Sequence, residues 1–215
     1  PDSVQFSSNF FPGTPWLEIA AVQNGKIIGM NSMGTTIKTI SHRDDGVDYA
    51  RILSGWMAQE ASGAMMGQAS TLDTTRASIG GADLQVVYSR PLKRGRVIFG
   101  NVVPWGEVWR TGANAATMFS TSRDLMIGGT LLPAGKYTLW TLPTSTGAKL
   151  IINSQTGQWG TDYDQKRDFA RIDLTTTMLS SPQDRFVIGL APSGNGGVLR
   201  MAWDDRAYSV PFTVR

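Results

Sequence analysis

Helical periodicity is nearly absent from the pattern of apolar and polar residues along the chain. Runs of Thr, Val, Ile and aromatics are cut at short intervals by Gly, Pro, Asn and Asp, which predicts short strands rather than helices. In the first third, residues 16–22 and 26–30 flank Gln23-Asn24-Gly25, and an Asn-Gly pair suits a two-residue hairpin turn that needs positive φ. Residues 35–41 and 47–53 flank the run HRDDG and predict a second hairpin closing at Gly46. The expectation is an antiparallel meander of about four strands over residues 1–57, like the closing strands of a preceding β domain. So small a meander buries little, and Trp16, Ile19, Ile27, Ile28, Ile37, Ile40, Leu53 and Trp56 form an apolar face that needs cover.

Residues 58–75 change character. The run AQEASGAMMGQASTLDTT is small and polar without strand alternation, and is predicted to be a linker; its helix formers allow a short helix over 58–66, weakened by Gly63. Strands are then predicted at 83–89, 96–103, 107–110, 116–122, 125–127, 136–142, 149–154, 168–176, 186–191, 198–203 and 208–214. Leu84, Val86 and Tyr88 share an inward face, as do Tyr137, Leu139 and Thr141. The predicted fold class is all-β: an antiparallel β-sandwich of about ten strands over residues 76–215, preceded by the small meander.

Composition narrows the chemistry. With 41% hydrophobic and 17% charged residues the chain is not disordered by charge, and no apolar run approaches the ~18 residues of a membrane-spanning helix. Zero Cys and one His exclude disulfides, thiolate metal sites, a Cys nucleophile and any multi-His metal site. A net charge of +3 is too mild to imply nucleic acid. The basic run RPLKRGR (Arg90, Lys93, Arg94, Arg96) reads as a solvated turn, with contact to an acidic partner as the alternative. The opening PDSVQF, without a start Met or signal-like segment, reads as a processed or partial product.

No nucleophile elbow, phosphate loop or dinucleotide fingerprint is present. His42 is expected at an exposed hairpin tip. The carboxylate groups Asp44/Asp45/Asp48, Asp162/Asp164/Asp168 and Asp204/Asp205 match no calcium-loop spacing. In the second group, pairing with nearby Arg167 or Arg171 is expected rather than a metal. The densest stretch, GRVIFGNVVPWGEVWRTGANAAT, holds Arg96, Trp105, Trp109, Arg110 and Asn114 among glycines. Guanidinium forks beside indole faces suit a polar-ligand, glycan or partner site. The same ingredients build a sandwich corner in which Arg110 donates to loop carbonyls beneath Trp109.

This run, together with GGTLLPAGKYTLWTLP and IINSQTGQWGTDYDQKRDFAR, resembles the bacterial family catalogued as domain of unknown function 2911, over residues 78–215. Arg96, Phe99, Gly100, Pro104, Gly106, Trp109, Arg110, Gly112, Asn114, Pro133, Ala134, Gly135, Tyr137, Trp159 and Gly160 sit on its pattern. The resemblance implies an exported β-sandwich without an assigned catalytic residue. The functional expectation is a non-catalytic, periplasmic or otherwise extracytoplasmic module that docks on another protein, as an accessory subunit of a membrane-associated complex. Small-ligand or glycan binding at Arg96, Trp105, Trp109, Arg110, Asn114 and Trp159 is the alternative, and a carboxylate-based hydrolase a weaker one. No cofactor, metal or nucleic acid is expected.

Overall fold

Asn24 and Gly25 take φ of 52° and 72°, the left-handed turn geometry that matches the twist of a hairpin. The computed structural model, which describes residues 2–11, 14–33, 39–61 and 70–215, thereby pairs β2 (Thr14–Gln23) with β3 (Lys26–Asn31). β1 (Asp2–Phe11) and β4 (Ile40–His42) complete an antiparallel sheet in the order β1-β2-β3-β4. Ile37 and the side chain of Trp16 lie outside the described residues.

The strand expected at 47–53 is instead the start of helix α1 (Tyr49–Ala61). The reason is local. Asp44 Oδ1 accepts from the Gly46 amide and closes a turn, after which Asp48 Oδ1 accepts from the Arg51 amide at 2.9 Å and caps the first helical turn. Two compact units divide between Gln68 and Ala69. The linker expected at 58–75 is thus cut from both sides: 58–61 are helical, 71–75 belong to a strand, and 62–69 lie outside the described residues.

The second unit consists of β5 (Thr71–Ile79), β6 (Ala82–Arg90), β7 (Ala113–Thr121), β8 (Leu125–Ile127), β9 (Thr130–Leu132), β10 (Gly135–Pro143), β11 (Ala148–Asn153), β12 (Asp168–Ser193) and β13 (Gly196–Val214). Every pairing is antiparallel and the order is β5-β6-β7-β10-β11-β12-β13-β8-β9. One continuous ladder therefore folds over itself into a sandwich. The bends lie in the two longest strands, where the β12–β13 register shifts between Met178 and Gln183 and again before Val187, with Asp204 at φ 50° opposite Gln183. The four strands expected at 168–176, 186–191, 198–203 and 208–214 are hence two bent ones: Pro182 and Asp204-Asp205 mark bulges, not turns.

The core lies between the layers. Leu84, Val86, Tyr88, Phe119, Leu139, Leu150 and Ile152 meet Phe186, Ile188, Leu199, Met201, Trp203, Val210 and Phe212. At its centre the Ile188 peptide is clasped from the opposite layer: its amide donates to the Tyr88 hydroxyl at 2.9 Å, and its carbonyl accepts from Thr75 Oγ1 at 2.6 Å. The expected strands 96–103 and 107–110 are not strands but turns carrying the isolated bridges Phe99↔Val103 and Trp109↔Thr141. Gly100 shows why. It sits at φ 89°, and an added Cβ would lie 2.8 Å from Trp105 Nε1.

The first unit has no comparable core. Ala20 is the one buried apolar residue among its described side chains. A fragment of residues 70–215 is expected to fold cooperatively alone, and one of residues 1–61 is not; circular dichroism on urea titration checks both. Beginning at residue 76 instead should cost stability, because it removes half of β5 and the Thr75–Ile188 bond. A cooperative transition in residues 1–61 alone would contradict this.

Candidate functional site

The Trp- and Arg-rich stretch is fixed to β10 by backbone bonds, one of them from the Gly106 amide to the Pro143 carbonyl at 2.7 Å. The Trp109 amide donates to the Thr141 carbonyl at 2.8 Å, and the Thr141 amide returns a bond at 2.9 Å. This sends the Trp109 indole inward, stacked on Trp203 at 5.8 Å and edge-on to Phe186 at 5.2 Å. Phe186 also meets Tyr88 edge-on at 5.9 Å. Trp105 stacks on Phe99 at 5.7 Å, and the Arg206 guanidinium lies over both rings, 4.6 Å from Phe99 and 5.0 Å from Trp105. Asp205 grips that guanidinium through two bonds of 2.8 and 3.1 Å, which hold the Asp205 carboxyl below its ordinary range and raise Arg206. Burial raises the Tyr208 phenol beside it. Two of the three indoles expected at a ligand site, Trp105 and Trp109, thus have a face occupied by protein.

The arginines exchange roles relative to expectation. Arg96 satisfies loop carbonyls, donating to Lys93 O at 3.1 Å and Leu92 O at 2.6 Å. Arg110 was expected to do so and does not. It makes no hydrogen bond or ion pair with the described residues, and burial alone lowers its pKa. The bridge at Trp109 explains this: the next residue projects away from the core, so the Arg110 stem packs on Gly160, where an added Cβ would lie 2.6 Å from Arg110 Cδ. Asn114, at φ 60°, donates at 3.4 Å to Ser70 O and Ser89 Oγ, while its carbonyl accepts from the Gly160 amide at 3.0 Å. Trp159 bridges Ala115 and is 51% exposed. The six candidate residues therefore fall in three places: Arg96 in its turn, Trp105 and Trp109 in the aromatic corner, and Arg110, Asn114 and Trp159 around Gly160.

The Asp162–Asp168 group forms the expected Asp–Arg pair. Asp168 accepts from Arg171 Nε at 2.9 Å, from Asn153 Nδ2 at 2.9 Å and from the Tyr163 hydroxyl at 2.6 Å. Asp164 caps the short 3-10 turn Gln165–Arg167. His42 is exposed as expected, but on strand β4 rather than a hairpin tip. Among the described residues no group of three His, Cys, Asp or Glu side chains is arranged to hold a metal ion.

A feature the sequence did not single out lies on the outer face of β5, β6, β7 and β10. There a groove of about 710 Å³ is floored by the small residues Ser78, Ser120, Ser122 and Gly135. The register aligns Arg76, Gln85, Ser120 and Lys136 in one cross-strand row. Alternation against Leu84, Phe119 and Tyr137 gives the outward face of each strand, but only the pairing register makes the row.

The model of the family described as Protein of unknown function (DUF2911) matches residues 70–212. The chain belongs to the DUF2911 family. The match starts before the expected residue 78 and so takes in all of β5. No curated protein and no solved structure matches the chain. In this DUF2911 protein the aromatic corner, the Gly160 shelf and the Asp168 network all lie within the matched residues.

The Tyr163 phenol is pushed up to about 12 by burial and by its bond to Asp168. Since this folded value exceeds the ordinary 10.0, the phenol's contribution to stability is complete below pH 10 and is lost as the pH climbs through about 12. Tyr163→Phe keeps the ring contact with Trp140 at 5.0 Å but has no proton to lose. Urea midpoints are expected to fall less steeply over that alkaline window in the variant than in the parent; equal slopes would contradict the assignment.

Proposed function

We propose that this protein is a non-catalytic extracytoplasmic module that docks on another protein, and that α1 is the docking element. The carrying observation is the stripe Tyr49, Ile52, Leu53, Trp56 and Met57. These residues recur at the i, i+3, i+4, i+7, i+8 spacing of one helical face, and each is at least 40% exposed. A lone apolar residue at the surface is ordinary, whereas a continuous stripe is not. Burying one such side chain is worth about 1.5–3 kcal/mol, so the whole face favours a partner with an apolar groove that accepts a helix. The thin core of the first unit supports the same reading, as does the lack of any nucleophile or phosphate-loop motif. The absence of cysteine is compatible with export, and the role of accessory subunit in a membrane-associated complex is part of the same proposal. A ligand site at Trp105 and Trp109 loses support from the occupied ring faces, and a carboxylate hydrolase from the structural bonds of Asp168.

The test uses a benzophenone amino acid in place of Leu53, in cells that express the protein natively. Irradiation is expected to give one dominant adduct with a single protein, lost on Trp56→Asp. Scattered adducts, or an adduct that survives Trp56→Asp, would contradict docking through this face.

A further inference from the structure

We propose that the outer groove over β5, β6, β7 and β10 binds an acidic oligosaccharide, a chain of hexuronic acid units, along the row Arg76, Gln85, Ser120 and Lys136. The row is set by the ladder. Arg76 stands opposite Gln85, Gln85 opposite Ser120, and Ser120 opposite Lys136, so four outward side chains cross the groove in line. Three strand spacings of about 4.8 Å separate the two cations by about 14 Å at the backbone, a span for an extended ligand rather than a single ion.

The chemistry of the row is uncommitted. None of these four side chains makes a hydrogen bond or ion pair with the described residues, although the same structure ties Lys93 to Asp204, Lys149 to Asp173, Arg90 to Asp73 and Arg171 to Asp168. Arg76 offers a planar fork that matches a carboxylate, and Lys136 supplies a second point charge. Between them the Gln85 amide and the Ser120 hydroxyl each donate and accept, as does the Ser78 hydroxyl, and the Asp83 carboxylate accepts, which suits sugar hydroxyls. The floor of Ser and Gly makes room for rings. Among the described residues no aromatic side chain lines the groove, so a neutral sugar that depends on stacking is disfavoured. An acidic peptide is also disfavoured: the groove lies on a sheet face, where the amides and carbonyls of β6, β7 and β10 beneath it are already used in the ladder on both sides and cannot pair with a peptide backbone.

The experiment titrates the intact protein with tetragalacturonate, with neutral cellotetraose and with a tetraglutamate peptide, by calorimetry at low salt and by amide chemical shifts. Tetragalacturonate is expected to bind, to weaken steeply with added salt, and to shift the amides of Gln85 and Ser120. The double variant Arg76→Ala, Lys136→Ala should lose at least tenfold in affinity, and Gln85→Ala several-fold. Cellotetraose and tetraglutamate should bind at least tenfold more weakly. The shift map on the unaltered protein keeps the test decisive if a variant misfolds. No binding of tetragalacturonate, shifts confined to other strands, or tetraglutamate binding as tightly would each overturn the proposal.

Discussion

The seating of the Trp109 indole against Trp203 and Phe186 is the contact on which the rest of the second unit depends. Residues 91–112 form no strand of their own, so this segment borrows its order from the sheets: Trp109, Ile98 and Val103 pack into the core, and backbone bonds tie Pro91 and Lys93 to β12, Gly106 to Pro143 and Trp109 to Thr141. Each backbone bond contributes about 1 kcal/mol, whereas an aromatic side chain burying ~150–250 Å² contributes several times that, and the fully buried Ile98 and Val103 add to the packing side. Apolar packing therefore decides the position of the segment, and hydrogen bonds set its register. Tyr88 extends the same cluster to the opposite layer and holds the Ile188 peptide, which ties β6 to β12 through the core.

With Trp109 fixed, the two faces of the β6–β7–β10–β11 layer have different fates. The inner face fills the core. The outer face is divided. Over Ala116, Trp140 and Ile151, a smaller apolar cluster forms with Val108, Leu142 and Tyr163, and the loop carrying Gln158 and Gly160 bonds back to β7 above it. Toward Ser120 and Lys136 no loop is bonded across the strands, and the polar row and groove remain. The apolar cluster of the outer face lies under the loop, and Val87 and Met118 lie beside it with the polar row.

Much of this was legible in the sequence. Alternation at Leu84, Val86, Tyr88 and at Tyr137, Leu139 marks strands that do line the core, and Asn24-Gly25 marks the hairpin that forms. β5 was not legible: its core-facing side runs Thr75, Ala77, Ile79, too small and polar at two of three positions to stand out from a linker. α1 was missed because its apolar residues have a helical spacing that also fits a short strand over 47–53, and only the cap at Asp48 separates the two. The arginine roles depend on which face each residue takes, set by the pairing of Trp109 with Thr141, a contact 32 residues apart in sequence that no local pattern encodes.

Native-state hydrogen exchange at the Trp109 and Thr141 amides tests most directly whether the Trp-rich segment is architecture. Both amides are expected to exchange only through global unfolding, with the same opening free energy as the Leu150 and Ile152 amides in the centre of the sheet. Exchange of Trp109 through a local opening, while Leu150 and Ile152 stay protected, would contradict it and return the indole to the solvent-facing side of the molecule.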